Sequence, residues 1–203
     1  MAAYTIRLIC TMITCIPIYV LARIILLRRR ARRLGAKAGV KKVKLEFNKL
    51  RELCLGLFVI FMIALFVFVW QGTLRPPMEA LRFARFRIRT GDGINFVPFR
   101  TVLDYYYTFG VRGDLFGVNI LGNVLIFVPW GFGLLLLWKK NRNLLRLAAF
   151  SLGLPIFVEA VQLFIGRSVD IDDVLLNFLG GMLGGLLYFL LAKIFPKLKT
   201  IVL

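Results

Sequence analysis

Five predominantly apolar runs, each at or near the roughly 20 residues a helix needs to cross a hydrocarbon layer, constrain this chain more than any other feature. They cover residues 4–27, 53–72, 118–138, 147–165 and 174–195. With 60% of its 203 residues hydrophobic, the chain has more apolar length than a soluble core can hold. Within lipid, backbone polar groups must be satisfied inside each segment, which selects helices. The expected fold is therefore all-α, a polytopic membrane protein with about five transmembrane helices.

The first run carries Arg7, Pro17 and Arg23. It is followed by "LLRRRARR" rather than a small-residue cleavage site, so an uncleaved helix is expected instead of a signal peptide. Residues 28–51 then hold eleven Lys and Arg against Glu46 alone. A basic block between two spans reads as a cytoplasmic arm that meets anionic lipid heads. No nucleic-acid-binding motif accompanies it, so nucleic acid is not an expected partner. The arm inside places the N-terminus and the 73–117 loop outside and the C-terminus inside. Lys and Arg then divide nineteen inside to nine outside. The expected organisation is a first helix at 1–27, a basic arm at 28–52, a transmembrane domain at 53–195 and a cytoplasmic tail at 196–203.

Acidic residues are more one-sided still. Only Glu46 and Glu52 fall inside; Glu79, Asp92, Asp104, Asp114, Glu159, Asp170, Asp172 and Asp173 fall outside or in the outer part of a helix. Histidine is absent, and Cys10, Cys15 and Cys54 are too scattered for a zinc site or disulfide framework. No metal or other cofactor is expected.

The last three runs confine polar residues to their outer ends. Asn119 and Asn123 are four apart and share a helix face, ahead of Pro129. Pro155, Glu159 and Gln162 form one narrow stripe, as do Asp173, Asn177, Gly180, Gly181 and Gly184. At about 1.5 Å per residue, Asn123, Glu159 and Asn177 lie roughly 4 to 9 Å below the outer surface. A glutamate facing lipid costs about 2.5–3.5 kcal/mol at mid-membrane and somewhat less near the interface, so Glu159 should face the bundle. Its candidate partners are Arg167, Arg100, Gln162, Asn123 and Asn177. Either a network that merely orients helices or a ligand pocket fits this pattern. Asp172 or Asp173 is expected to cap the last helix, leaving Asp170 near Arg167. "GGMLGG" gives two overlapping small-xxx-small pairs suited to close packing within the monomer.

The exterior loop contributes "NFVPFRTVLDYYYTFG", read as an interfacial or partly re-entrant lid, and "EALRFARFRIR". In the latter, Arg82, Arg85 and Arg89 recur at helical spacing. Both a short interfacial helix that meets lipid phosphates and a solvated loop paired with Glu79 and Asp92 are compatible with it.

Residues 56–192 resemble the VanZ-like family, through "NFVPFRT", "NILGNVLIFVPWGF" and "EAVQLFIGRSVDIDDVLLNFLGG" in that order. The matching positions are Pro98, Arg100, Asn119, Asn123, Pro129, Gly131, Glu159, Gln162, Arg167, Asp170, Asp173, Asn177 and Gly180. Phe178 departs from the pattern, in which a small residue follows the asparagine. The resemblance implies a small multi-spanning protein of the cytoplasmic membrane. For the family's namesake it implies a role in teicoplanin tolerance in Gram-positive bacteria; it supplies no established reaction.

The leading expectation is engagement of a lipoglycopeptide or lipid-linked cell-wall precursor at the outer leaflet. Arg100 and Arg167 would meet phosphate or carboxylate, and Asn119, Asn123, Gln162 and Asn177 would meet sugar or amide groups. The alternative is an intramembrane enzyme acting on a lipid or cell-wall carrier, with Glu159 or Asp170 as general acid or base. Ion-coupled transport is disfavoured by the almost wholly apolar inner halves of the last three helices.

Overall fold

The structure is a computed structural model that describes residues 11, 15–27, 48–69, 75–109 and 114–202. The expected first span and basic arm fall largely outside these residues. Seven helices occur among those described: α1 (Cys15–Leu27), α2 (Lys49–Val69), α3 (Pro77–Thr90), α4 (Arg100–Phe109), α5 (Asp114–Leu137), α6 (Leu144–Ile165) and α7 (Ile171–Ile194). Four segments are long and apolar enough to cross a membrane: α2, Asn119–Leu137 of α5, α6 and α7. The described part of the first run, α1, is shorter than a full span; the rest of that run lies outside the described residues.

The chain divides into two units, Met1–Val67 and Phe68–Leu203. In the first, Arg23 of α1 makes a bidentate pair with Glu52 of α2, Nε and Nη2 each 2.8 Å from a carboxylate oxygen. Arg51 adds a third contact at 3.0 Å. A charge near hydrocarbon is tolerated when a fork of donors meets it in this way. The composition assigned these residues to the inner side but did not reveal that they pair.

In the second unit, α7 packs against both α5 and α6, and its glycines show why. A Cβ at Gly180 or Gly184 would collide with the carbonyls of Val124 or Val128 on α5, and one at Gly181 or Gly185 with Ser151 or Leu147 on α6. The two small-xxx-small pairs thus serve two different neighbours inside one chain. Gly131 of α5 in turn abuts the Gly181 carbonyl. Lipid supplies little hydrophobic drive between helices, so such close backbone approach is a principal source of association.

Polar caps extend the helices beyond their apolar runs. The Asn143 side chain accepts from the N–H groups of Leu145 and Arg146, starting α6 three residues before the apolar run. Gly166, at φ 83°, ends it in the left-handed conformation that glycine adopts without cost. The next helix begins at Ile171 because Asp170, rather than Asp172 or Asp173 as expected, is its N-cap. The turn is simply shorter than the apolar pattern suggested.

The 73–117 segment is structured where described. α3 leads to a short strand β1 (Ile94–Asn95), which pairs in parallel with β2 (Val169–Asp170) in the α6–α7 turn. α4 follows, with Pro98 just ahead of it, consistent with proline disfavouring helix for its predecessor.

Candidate functional site: a polar cavity at one end of the bundle

Asp170 in the α6–α7 turn and Asp172 and Asp173 in the first turn of α7 hold three different elements. The Asp170 carboxylate caps its own helix, accepting from Asp172 N–H at 2.9 Å. It also accepts from Asn95 Nδ2 at 2.9 Å and from the Thr101 hydroxyl. Asp172 caps a different helix: its oxygens accept from the backbone N–H groups of Phe99, Thr101 and Val102 at the start of α4. Four unpaired N–H groups at a helix start attract a carboxylate, and here it arrives from seventy residues away. The same contact holds Phe99 at φ 64°, a backbone conformation that is strained for a bulky residue. Asp173 accepts from Asn123 Nδ2 at 2.7 Å, tying α7 to α5.

Glu159, 5% exposed, lies behind this cluster. Its Oε2 accepts from the Asp170 backbone N–H at 2.9 Å. The amide orientation of Gln162 that satisfies both its atoms places Nε2 3.0 Å from Glu159 Oε1 and 3.1 Å from the Ser168 carbonyl. Glu159 therefore anchors the turn through neutral donors. Neither Arg167 nor Arg100 makes an ion pair with it, a correction to the partners expected from spacing. Arg167 instead donates from Nη1 to the Val69 carbonyl at the end of α2, at 3.0 Å, where the helix dipole favours a cation.

Arg87 is a second fastening that sequence patterning missed. Although charged, it is 3% exposed. It donates to the carbonyls of Asp92 (3.0 Å), Gly93 (2.7 Å) and Arg167 (2.6 Å), with Leu163 within reach at 3.4 Å. One guanidinium satisfies carbonyls of the α3–β1 turn, of the end of α6 and of the turn beyond it, a task suited to its fan of five donors.

Between α4, one end of α5, the α6–α7 turn and the start of α7 lies a cavity of about 310 Å³. Arg167, Asp173, Asn119, Asn123, Thr101 and Tyr105 supply its polar lining, with Ser168, Asp170 and Asp172. Phe68, Val102, Ile120 and Leu176 supply its apolar part. Of the residues expected to form a site, Asn119, Asn123, Arg167, Asp170 and Asp173 meet here. Glu159, Gln162 and Asn177 are buried but do not line the cavity. Arg100 is exposed and outside it, because the α4 start turns the following residue, Thr101, inward. Asn177 Oδ1 has no partner among the described residues.

Sequence reasoning missed Asn95, Thr101, Asp172 and Tyr105. Asn95 and Thr101 bracket the "FVPF" turn, and their polarity beside an apolar plug was the available signal. No group of three or more potential ligands that could hold a metal occurs among the described residues.

Four long apolar helices define a helical membrane protein, and its polar cavity lies where α5 and α7 meet α4 and the α6–α7 turn. The VanZ/LLP1 family matches residues 58–192, which include every element of that cavity, and the chain belongs to this family. No curated protein and no solved structure matches the chain.

Proposed function

We propose that the chain resides in the bacterial cytoplasmic membrane with its N-terminus outside and C-terminus inside. In this reading the cavity opens at the outer leaflet. There it receives the polar part of a lipid-linked envelope molecule, either a lipoglycopeptide or a cell-wall precursor, and contributes to teicoplanin tolerance. The observation that carries the reading is the cavity itself, about 310 Å³, at the lower end of the range for ligand pockets. It sits where spans end, so a headgroup can enter while its chain stays in lipid. The excess of basic residues on the opposite side supports the orientation.

Arg167 keeps Nε and Nη2 without a hydrogen-bond partner among the described residues, and Asp173 keeps its second oxygen. These groups of opposite charge suit a ligand with an anionic group beside hydroxyl, amide or amine donors. Catalysis by Glu159 or Asp170 is the weaker reading. Glu159 stands behind the Asp170 backbone, and the Asp170 oxygens are taken by Asn95, Thr101 and the α7 cap.

The test is Arg167→Gln and Asp173→Asn at equal expression in a teicoplanin-challenged host, with binding of a lipid-linked precursor measured on the purified protein. Loss of both tolerance and binding is expected. Unchanged tolerance and binding in both variants would remove the cavity from the function.

A further inference from the structure

The outward face of α3 has no role in the cavity, and its composition is specific. Met78, Arg82, Arg85 and Arg89 fall at i, i+4, i+7 and i+11, a single stripe along the helix. All four are exposed. Leu81 and Ile88, seven apart, flank the stripe on one side and Phe86 on the other, with Phe86 55% and Ile88 63% exposed. Large apolar side chains beside arginines are a poor arrangement for water and a good one for the level of lipid headgroups. There the apolar groups sink and the long arginine stems snorkel to phosphate.

Two observations separate this from an ordinary solvated helix. First, Arg82, Arg85 and Arg89 make no salt bridge or hydrogen bond among the described residues, although Glu79 lies on the same helix and Asp92 just beyond it. Second, the opposite face is fixed at the end of a span. Arg87 donates to the Arg167 carbonyl at 2.6 Å and approaches that of Leu163, at the end of α6, which closes at Ile165. This sets the C-terminal turn of α3 at the boundary of the hydrocarbon layer.

We propose that α3 is an interfacial helix that lies on an anionic phospholipid surface, with Arg82, Arg85 and Arg89 contacting lipid phosphates and Phe86 and Ile88 entering the acyl boundary. The occupant is a lipid bilayer because the face is long, regular and open. Each cation near such a surface adds to the attraction for anionic headgroups, so three set a clear preference for anionic over zwitterionic lipid. This assignment is independent of any ligand in the cavity.

The full chain, with Cys10, Cys15 and Cys54 changed to Ser and Ile88→Cys carrying a nitroxide, is reconstituted into vesicles. One set mixes phosphatidylglycerol with phosphatidylcholine, and the other is phosphatidylcholine alone. Collisions with oxygen, which concentrates in lipid, are compared with those of a water-soluble nickel complex. The label is expected in the lipid boundary in anionic vesicles. The oxygen-to-nickel ratio is expected to fall several-fold in phosphatidylcholine alone, and likewise in anionic vesicles when Arg82→Gln, Arg85→Gln and Arg89→Gln are combined. The vesicle comparison keeps the native arginines, so it decides even where the triple variant folds poorly. A water-exposed label in anionic vesicles overturns the proposal. So does a label equally immersed whatever the lipid charge.

Discussion

The carboxylate of Glu159 accepts a hydrogen bond from the backbone N–H of Asp170, eleven residues further along, at 2.9 Å. This contact closes the α6–α7 turn from below, and the same aspartate's side chain then holds Asn95 and Thr101 above it. The membrane glutamate thus acts through the turn that shapes the cavity. Removing it as Glu159→Leu leaves the Asp170 N–H buried without its acceptor and leaves the Gln162 amide with the Ser168 carbonyl alone. A cost of about 1–3 kcal/mol is expected from the unsatisfied buried group. Glu159→Gln, with Gln162 turning its amide, is expected to cost less. Thermal unfolding in detergent checks both, and a double-mutant cycle with Gln162→Leu should be non-additive because the two side chains share one network.

Asp172 reaches across the fold to cap α4. Both Asp172→Ala and Asp172→Asn are expected to release that helix start, the second because an amide nitrogen would face backbone N–H donors. Charge-assisted bonds of this kind contribute about 1.5–3 kcal/mol each. Backbone hydrogen exchange should rise several-fold across 99–109 while α6 and α7 stay protected. Uniform protection in the variant would show that α4 is held by something else.

The glycines of α7 divide between two neighbours, which gives a prediction with an internal control. Gly184→Ala sets a methyl against the Val128 carbonyl, whereas Gly153→Ala on α6 meets nothing within 4 Å. Overpacking of this sort costs about 1–3 kcal/mol, and here the atom in the way is backbone. Gly184→Ala should lower the unfolding temperature in detergent, and Gly153→Ala should leave it unchanged or raise it slightly.

The spans were legible because hydrophobic length is a local property. So was the buried stripe of Pro155, Glu159 and Gln162, because a helix writes its faces into its spacing. The cavity was only half legible. Asn119, Asn123, Arg167 and Asp173 announced themselves as polar residues at span ends. Thr101, Tyr105 and Asn95 did not, since their positions depend on a parallel strand pair joining segments about seventy-five residues apart. Arg100 and Thr101 show the limit well. Spacing cannot say which of two adjacent polar residues a helix start turns inward; that is decided by the distant Asp172. Arg87 was hidden among arginines of the same helix, and only the neighbouring α6 carbonyls distinguish it.

The central claim, that this cavity is open to the outer face and takes a lipid-linked ligand there, is tested most directly by chemical access to one lining residue. On a background free of native cysteine, Tyr105→Cys in intact cells is exposed to a membrane-impermeant maleimide, with Lys44→Cys as the inner-side control. Labelling at 105 and none at 44 is expected, with slower labelling at 105 when the lipid-linked precursor is supplied. Labelling at 44 from outside, or labelling at 105 that is indifferent to every lipid-linked ligand offered, would contradict the claim.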